Sequence, residues 1–257
     1  MSNIASLPIL LKELNLTSMA RQWELLAQKA IDDQWLPQSY LAELCEQEVG
    51  ERHQKRLQRY LREAQLPPAK HLSQFDFTVT KGIQKNQIMV LTQQRQWVKQ
   101  RENVLLFGAS GVGKTHIACG IGYALIEHGI RVKFTTATSI VQELQRAKEA
   151  LDLAELLTRM DKYDVIIVDD IGYVKKSSQE TQVLFELIAH RYETGSLIIT
   201  SNQPFSAWDK IFDDNMMTVA AIDRLVHHAT ILEVGGESFR KTASIKRSAK
   251  QVKIMET

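Results

Sequence analysis

A chain of 257 residues suits one substantial α/β domain with a small appendage. A formal net charge of +2 is too small to imply a polyanionic partner by itself, so the placement of charge says more than its total. No unbroken apolar run approaches a bilayer span and no basic segment leads into an apolar core at the start, so the expected setting is the cytoplasm, with no membrane. Cys45 and Cys119 read as reduced core thiols. The seven histidines show no metal-ligand spacing, and His227-His228 reads as a helix end rather than a zinc site.

Residues 1–68 are expected to form a small all-helical N-terminal domain for DNA or partner binding. Leu7, Leu10, Leu11 and Leu14, then Trp23, Leu26, Ala27 and Ala30, recur at helical spacing over residues 7–64. Pro8 suits a first helical turn, Trp35–Gln38 interrupts the pattern, and a second helix is expected from about Ser39 until Pro67-Pro68 closes the segment. Within it Arg52, Lys55, Arg56, Arg59 and Arg62 fall at spacings of three and four, which places them on one helix face. Such a stripe suits DNA phosphates, whose contacts are salt-sensitive and independent of sequence. The alternative is a solvated face balanced by Glu43, Glu46, Glu48 and Glu51.

A connector between Phe75 and Gln100 follows, in which Phe75-Asp76-Phe77 and Ile83 either pack against an adenine base or serve as ordinary core. From Asn103 strands and helices alternate, the order of a parallel sheet covered on both faces. The expected strands are Val104–Phe107, Val132–Thr135, Val165–Val168, Leu197–Thr200 and Ile231–Val234, all short and aliphatic or β-branched as buried parallel strands are. Residues 69–240 are assigned to this domain.

Between the first of these strands and a helix over Ile117–Ile126 stands Gly108-Ala109-Ser110-Gly111-Val112-Gly113-Lys114-Thr115, which fills every fixed place of the G-x-x-x-x-G-K-[ST] phosphate loop. Its glycines let successive N–H groups point inward at a helix N-terminus and cradle a polyphosphate. Lys114 is expected on the terminal phosphates of a nucleoside triphosphate and the Thr115 hydroxyl on Mg²⁺.

The strand 165–168 ends in Asp169-Asp170, at the edge where open α/β sheets bind ligands. Asp169 is the candidate Mg²⁺ ligand. Asp170 either orients the water that attacks the γ-phosphate or caps the turn into Gly172. Lys175-Lys176 follow as a second basic candidate for DNA. The strand 197–200 leads to Asn202, whose amide suits the attacking water or the γ-phosphate, and whose plainer role is to start the turn at Gln203-Pro204. In a mostly apolar helix over Val219–Val226, Arg224 either stabilises transition-state charge on a neighbouring subunit or pairs with Asp223 or a nearby acid. Residues 241–257, with Lys241, Lys246, Arg247, Lys250 and Lys253, form a basic C-terminal tail. No basic segment carries a pattern for reading bases.

Strand, GASGVGKT, VDD, TSN and DRL occur in the order of the AAA+ ATPases, in their initiator and helicase-loader branch. More narrowly the chain resembles the IstB-like ATPases, helper proteins of insertion-sequence transposons. The features that carry this are Leu61–Pro68 leading into Leu72–Phe77, Asp223-Arg224-Leu225-Val226-His227-His228, and Gly236-Glu237-Ser238-Phe239-Arg240. The resemblance implies ATP and Mg²⁺ as cofactors, Asp169 and Asp170 as the Walker-B pair, Asn202 as sensor 1, Arg224 as an arginine finger, and Arg240 as a sensor-2 arginine on the nucleotide. It implies ATP hydrolysis used as an assembly switch, double-stranded DNA bound with little sequence preference, a transposase partner, and a homo-oligomer whose ATP sites are completed between subunits. Helicase loaders of the DnaC and DnaI kind share the order of motifs and stay open as the alternative. A small-molecule kinase and a nucleotide-binding module without hydrolysis fit the acidic pair and basic stripes less well. One departure is expected: about twenty residues follow the last strand, too few for a full C-terminal helical lid.

Overall fold

The computed structural model describes residues 4–172, 177–210 and 215–239. The chain divides into two compact units, Met1–Arg59 and Tyr60–Thr257.

The first unit holds α1 (Leu7–Glu13), α2 (Thr17–Asp32) and most of α3 (Pro37–Ala64). Leu11, Met19, Leu26 and Leu44 form its core, with Trp23 and Tyr40 packed against them. The continuous helical pattern breaks twice: at Gln34 (φ +52), where an interruption is expected, and at Asn15 (φ +56), which separates α1 from α2. Asparagine tolerates the left-handed conformation, so it ends a helix without a glycine. Leu16, the residue before α2, has no side-chain oxygen to cap it. Glu48 of α3 supplies the cap instead, accepting the N–H groups of Ser18 (2.8 Å) and Met19 (3.1 Å).

In the second unit, β1 (Thr80–Lys81), α4 (Lys85–Gln93) and α5 (Gln96–Lys99) precede the sheet. The main elements are then β2 (Asn103–Phe107), α6 (Lys114–Glu127), β3 (Val132–Thr136), α7 (Ala137–Glu149), α8 (Leu153–Met160), β4 (Val165–Asp169), α9 (Ser178–Arg191), β5 (Ser196–Ser201), α10 (Asn215–His227) and β6 (Ala229–Glu233). Strands β2 to β6 pair in the order β3-β4-β5-β2-β6, every neighbouring pair parallel. The five expected strands are all present. β7 (Gly235–Gly236) pairs antiparallel with β1, a ribbon too short to leave a sequence pattern.

Successive residues of a strand face opposite sides of the sheet. Leu105 and Phe107, Ile166 and Val168, and Leu197 and Ile199 enter one core with α7, α8 and α9. Ile167 turns the other way: a Cβ built on Gly122 of α6 would sit 2.9 Å from its Cδ1. Two polar residues knit this interior. Asn103 donates to Leu225 O and accepts from Leu197 N–H. Arg191, 1% exposed, donates to the carbonyls of Tyr163 and Asp164 at 2.9 and 3.0 Å. Cys119 is buried and its thiol is pushed up to about 12 by burial and then by Asp169, so it is an inert core thiol. Cys45 departs from the expectation and is exposed on α3. Among the described residues no helix is long and apolar enough to cross a membrane, and no group of three or more His, Cys, Asp or Glu side chains is placed to hold a metal ion.

Candidate nucleotide site

Parallel pairing brings the C-terminal ends of the strands to one edge of the sheet, with Phe107 opposite Ser201 and Thr136 opposite Asp169. The phosphate loop leaves β2 at this edge, and α6 begins at Lys114 rather than Ile117, so the last residues of the motif are already its first turn. Gly113 has φ +107, and a Cβ there would lie 2.6 Å from Phe75 Cε2. At Gly108 one would lie 2.0 Å from Val234 O. Both positions therefore require glycine for conformation and for space.

A cleft of about 420 Å³ opens above the loop. Lys114, Thr115, Asp169 and Asp170 all line it. Lys114 is 6% exposed, and its ammonium donates to Gly108 O (2.8 Å) and Ala109 O (3.0 Å) within the loop. Thr115 Oγ1 donates to Asp169 Oδ2 at 3.1 Å. Thr200 Oγ1 donates to the other carboxylate oxygen at 2.7 Å and accepts the Asp170 N–H at 2.8 Å. One threonine hydroxyl of β5 thus orients both members of the acidic pair. Asp170 has φ +66, a left-handed conformation that aspartate tolerates better than most residues. Asp169 and Thr115 present hard oxygen donors side by side, the ligand chemistry that suits Mg²⁺.

The same cleft takes in side chains the motifs do not signal. Lys70, Gln74, Asp76, His116 and Phe239 line it beside Phe75. Phe239 N–H donates to Gly111 O at 3.0 Å, so the segment after β7 lies on the phosphate loop. Phe75 packs edge-on to Phe77 and His116, with Phe239 6.1 Å away. Ile83 is buried and does not line the cleft, which makes it core rather than a base contact.

Two expected catalytic residues lie elsewhere. Asn202 packs behind the turn that follows Asp170: a Cβ on Gly172 would sit 2.8 Å from its Oδ1, a buried oxygen without a hydrogen-bond partner among the described residues. Arg224 donates to Ala220 O of its own helix and stacks over the Phe185 ring at 5.2 Å, rather than pairing with Asp223. It does not line the cleft. Arg240, Lys175, Lys176 and the tail lie outside the described residues.

The stripe on α3 is partly committed to its own unit. Arg52 pairs with Glu48 (2.7 Å) and donates to Asn15 O (2.7 Å), and Lys55 pairs with Glu51 (2.8 Å). Arg56, Arg59 and Arg62 are exposed, with Arg56 against His53.

The family model for IstB-like ATP binding protein matches residues 9–247. The chain belongs to this family. It is 44% identical over 242 residues to an insertion-sequence ATP-binding protein of Sinorhizobium fredii, covering 94% of this chain and 81% of the relative. It is 36% identical over 234 residues to the protein of Pseudomonas aeruginosa named for ATP binding in insertion sequence IS21, covering 91% and 88%. The fold is that of AAA+ P-loop proteins. DnaA from Aquifex aeolicus with bound AMPPCP superposes with a TM-score of 0.55 at 17% identity, covering 73% of this chain and 56% of that one. DnaI superposes with a TM-score of 0.52 at 19% identity, covering 64% and 90%.

Proposed function

We propose that this IstB-like protein binds and hydrolyses ATP as a switch for assembly on DNA, and that the assembled form assists a transposase in choosing its target. The observation that carries this reading is the cleft itself, where Lys114, Thr115, Asp169 and Asp170 converge from the loop and the end of β4. In it the loop amides and Lys114 take the phosphates, while Thr115 and Asp169 hold Mg²⁺, which supplies charge neutralisation on the phosphate oxygens. Asp170, turned by Thr200, positions and deprotonates the attacking water. Asn202 buttresses the turn that carries Asp170 and so couples the γ-phosphate to β5. Phe75 and Phe239 form the apolar wall on which the base rests.

Arg224 does not line the cleft of its own chain, and in this reading it completes the site of a neighbouring subunit instead. Hydrolysis then requires contact between protomers. In the division of labour that follows, residues 1–68 bind double-stranded DNA or the transposase, residues 69–240 hold the nucleotide, and the basic residues of 241–257 add to DNA affinity. The insertion-sequence relatives favour this reading over loading of a replicative helicase.

Mixing two inactive variants tests the shared site. Arg224→Ala and Asp170→Asn are each expected to hydrolyse ATP at least about 100-fold more slowly than the parent. A mixture contains interfaces that join an intact Asp170 to an intact Arg224, so activity should partly return. Co-assembly on DNA with no recovery would remove Arg224 from the site.

A further inference from the structure

Opposite the nucleotide cleft, at the N-terminal edge of the sheet, a second cleft of about 830 Å³ is built from the chain just before three strands. Arg101 lies ahead of β2, Ile130 ahead of β3 and Asp164 ahead of β4. Arg95 and Lys99 of the α5 region and His128 at the end of α6 complete its polar wall. Among the described residues none of the Arg95, Lys99 and Arg101 side chains has an ion-pair or hydrogen-bond partner. The one acid in the lining, Asp164, already accepts the Arg131 N–H at 2.9 Å. Three positive charges therefore share a concave surface with one carboxylate, an excess of two in a chain whose whole net charge is +2.

These cations stand on a fixed base. Trp97 and Val98, between them, are each 5% exposed, and Trp97 Nε1 donates to Leu91 O at 2.8 Å. The lining offers no exposed aromatic or large aliphatic side chain as an anchor pocket, so it suits a polyanion read through its charge rather than a peptide read through apolar anchors.

We propose that this cleft is a second DNA-contact site, in which Arg95, Lys99 and Arg101 bind successive phosphates of a duplex on the side of the sheet away from the ATP. The inference rests on the reading of the protein as DNA-binding. Because nucleotide and DNA then occupy opposite strand ends, this contact persists whatever the state of the nucleotide, and the switch acts on assembly rather than on these phosphates.

The test compares the full-length parent with Arg95→Ala/Lys99→Ala/Arg101→Ala, and with Arg56→Ala/Arg59→Ala in the helical unit, on one duplex over a range of salt. The triple variant is expected to bind at least about tenfold more weakly near 0.1 M salt and to flatten the plot of log affinity against log salt by about 2–3, with unchanged ATP affinity and thermal midpoint. Arg95→Lys/Arg101→Lys should restore most of the slope, since the charge rather than the guanidinium geometry is what is used. A parent that binds duplex with an unchanged slope in the triple variant overturns this site alone, whereas a parent that binds no duplex overturns the DNA-binding reading. Binding of a polyglutamate peptide that the triple mutation abolishes, with DNA affinity unaltered, would reassign the cleft to an acidic protein segment.

Discussion

The phosphate loop and the basic face of α3 both present cations in the sequence, and the fold uses them differently. In the loop the role of Lys114 follows from eight contiguous residues, because glycine conformation and the start of α6 fix where its ammonium lies. On α3 the roles of Arg52 and Lys55 are set by residues 37 and 38 positions away: Arg52 donates to Asn15 O and Lys55 to Thr17 Oγ1. In the loop local geometry sets where the cation lies, whereas on α3 partners distant in sequence share it.

The largest effect is expected from Lys114→Ala. Losing the point charge on the terminal phosphates should weaken ATP binding by about 100-fold or more, roughly 3 kcal/mol, as read by calorimetric titration at unchanged thermal midpoint. A loss of less than about threefold would deny the loop its special standing.

Glu48→Ala should destabilise the helical unit by about 2 kcal/mol. It removes the cap from two α2 N–H groups and leaves Arg52 without its partner. Denaturant unfolding followed by tryptophan fluorescence, in a background that keeps Trp23 and replaces Trp35, Trp97 and Trp208 with Phe, measures it, and a change within about 0.5 kcal/mol would mean that α2 does not depend on α3 for its cap.

Acid sharpens the same point. Hydrogen bonds from Lys55 and Ser18, with the charges of Arg21 and Lys55, hold the Glu51 carboxyl down at about 2. Burial by itself raises Glu48, but its bonds from Arg52, Met19 and Ser18 outweigh this and leave it below the ordinary value. Carboxylates depressed in the folded state stabilise fully above their unfolded pKa, near 4.5, and that stability is lost as pH falls from there toward 2. Helical-unit stability should be level above about pH 5 and decline below it, and Glu51→Gln should shallow that decline.

The smallest effect separates members of the stripe. Arg52→Ala should lower the thermal midpoint of the helical unit by a few degrees, about 1 kcal/mol after discounting its exposure, while Arg56→Ala leaves the midpoint within a degree and weakens duplex binding severalfold. Equal midpoints for the two would mean that the Glu48 pair gives Arg52 no structural weight that Arg56 lacks.

These contrasts mark what was legible in the sequence. The five strands were readable because buried parallel strands are short aliphatic runs, and the loop and the Asp169-Asp170 pair because each is contiguous and sits at a strand's end. Thr200 carries no such signal, since nothing local shows that its hydroxyl reaches both Asp169 and the Asp170 N–H across to the next strand. Phe239 stood in the segment that marks the family, yet its place on the phosphate loop depends on the β1–β7 ribbon. Arg191 and Glu48 look like surface charges in sequence, and are buried because backbone groups far along the chain need their hydrogen bonds.

In the proposed function one cleft divides its labour, with Lys114 holding the nucleotide and Asp170 turning it over. Measuring ATP affinity and single-turnover hydrolysis side by side in Asp170→Asn tests this most directly. Affinity within about threefold of the parent and hydrolysis slowed by about 100-fold or more are expected. An affinity loss as large as that of Lys114→Ala, or hydrolysis at the parental rate, would contradict it.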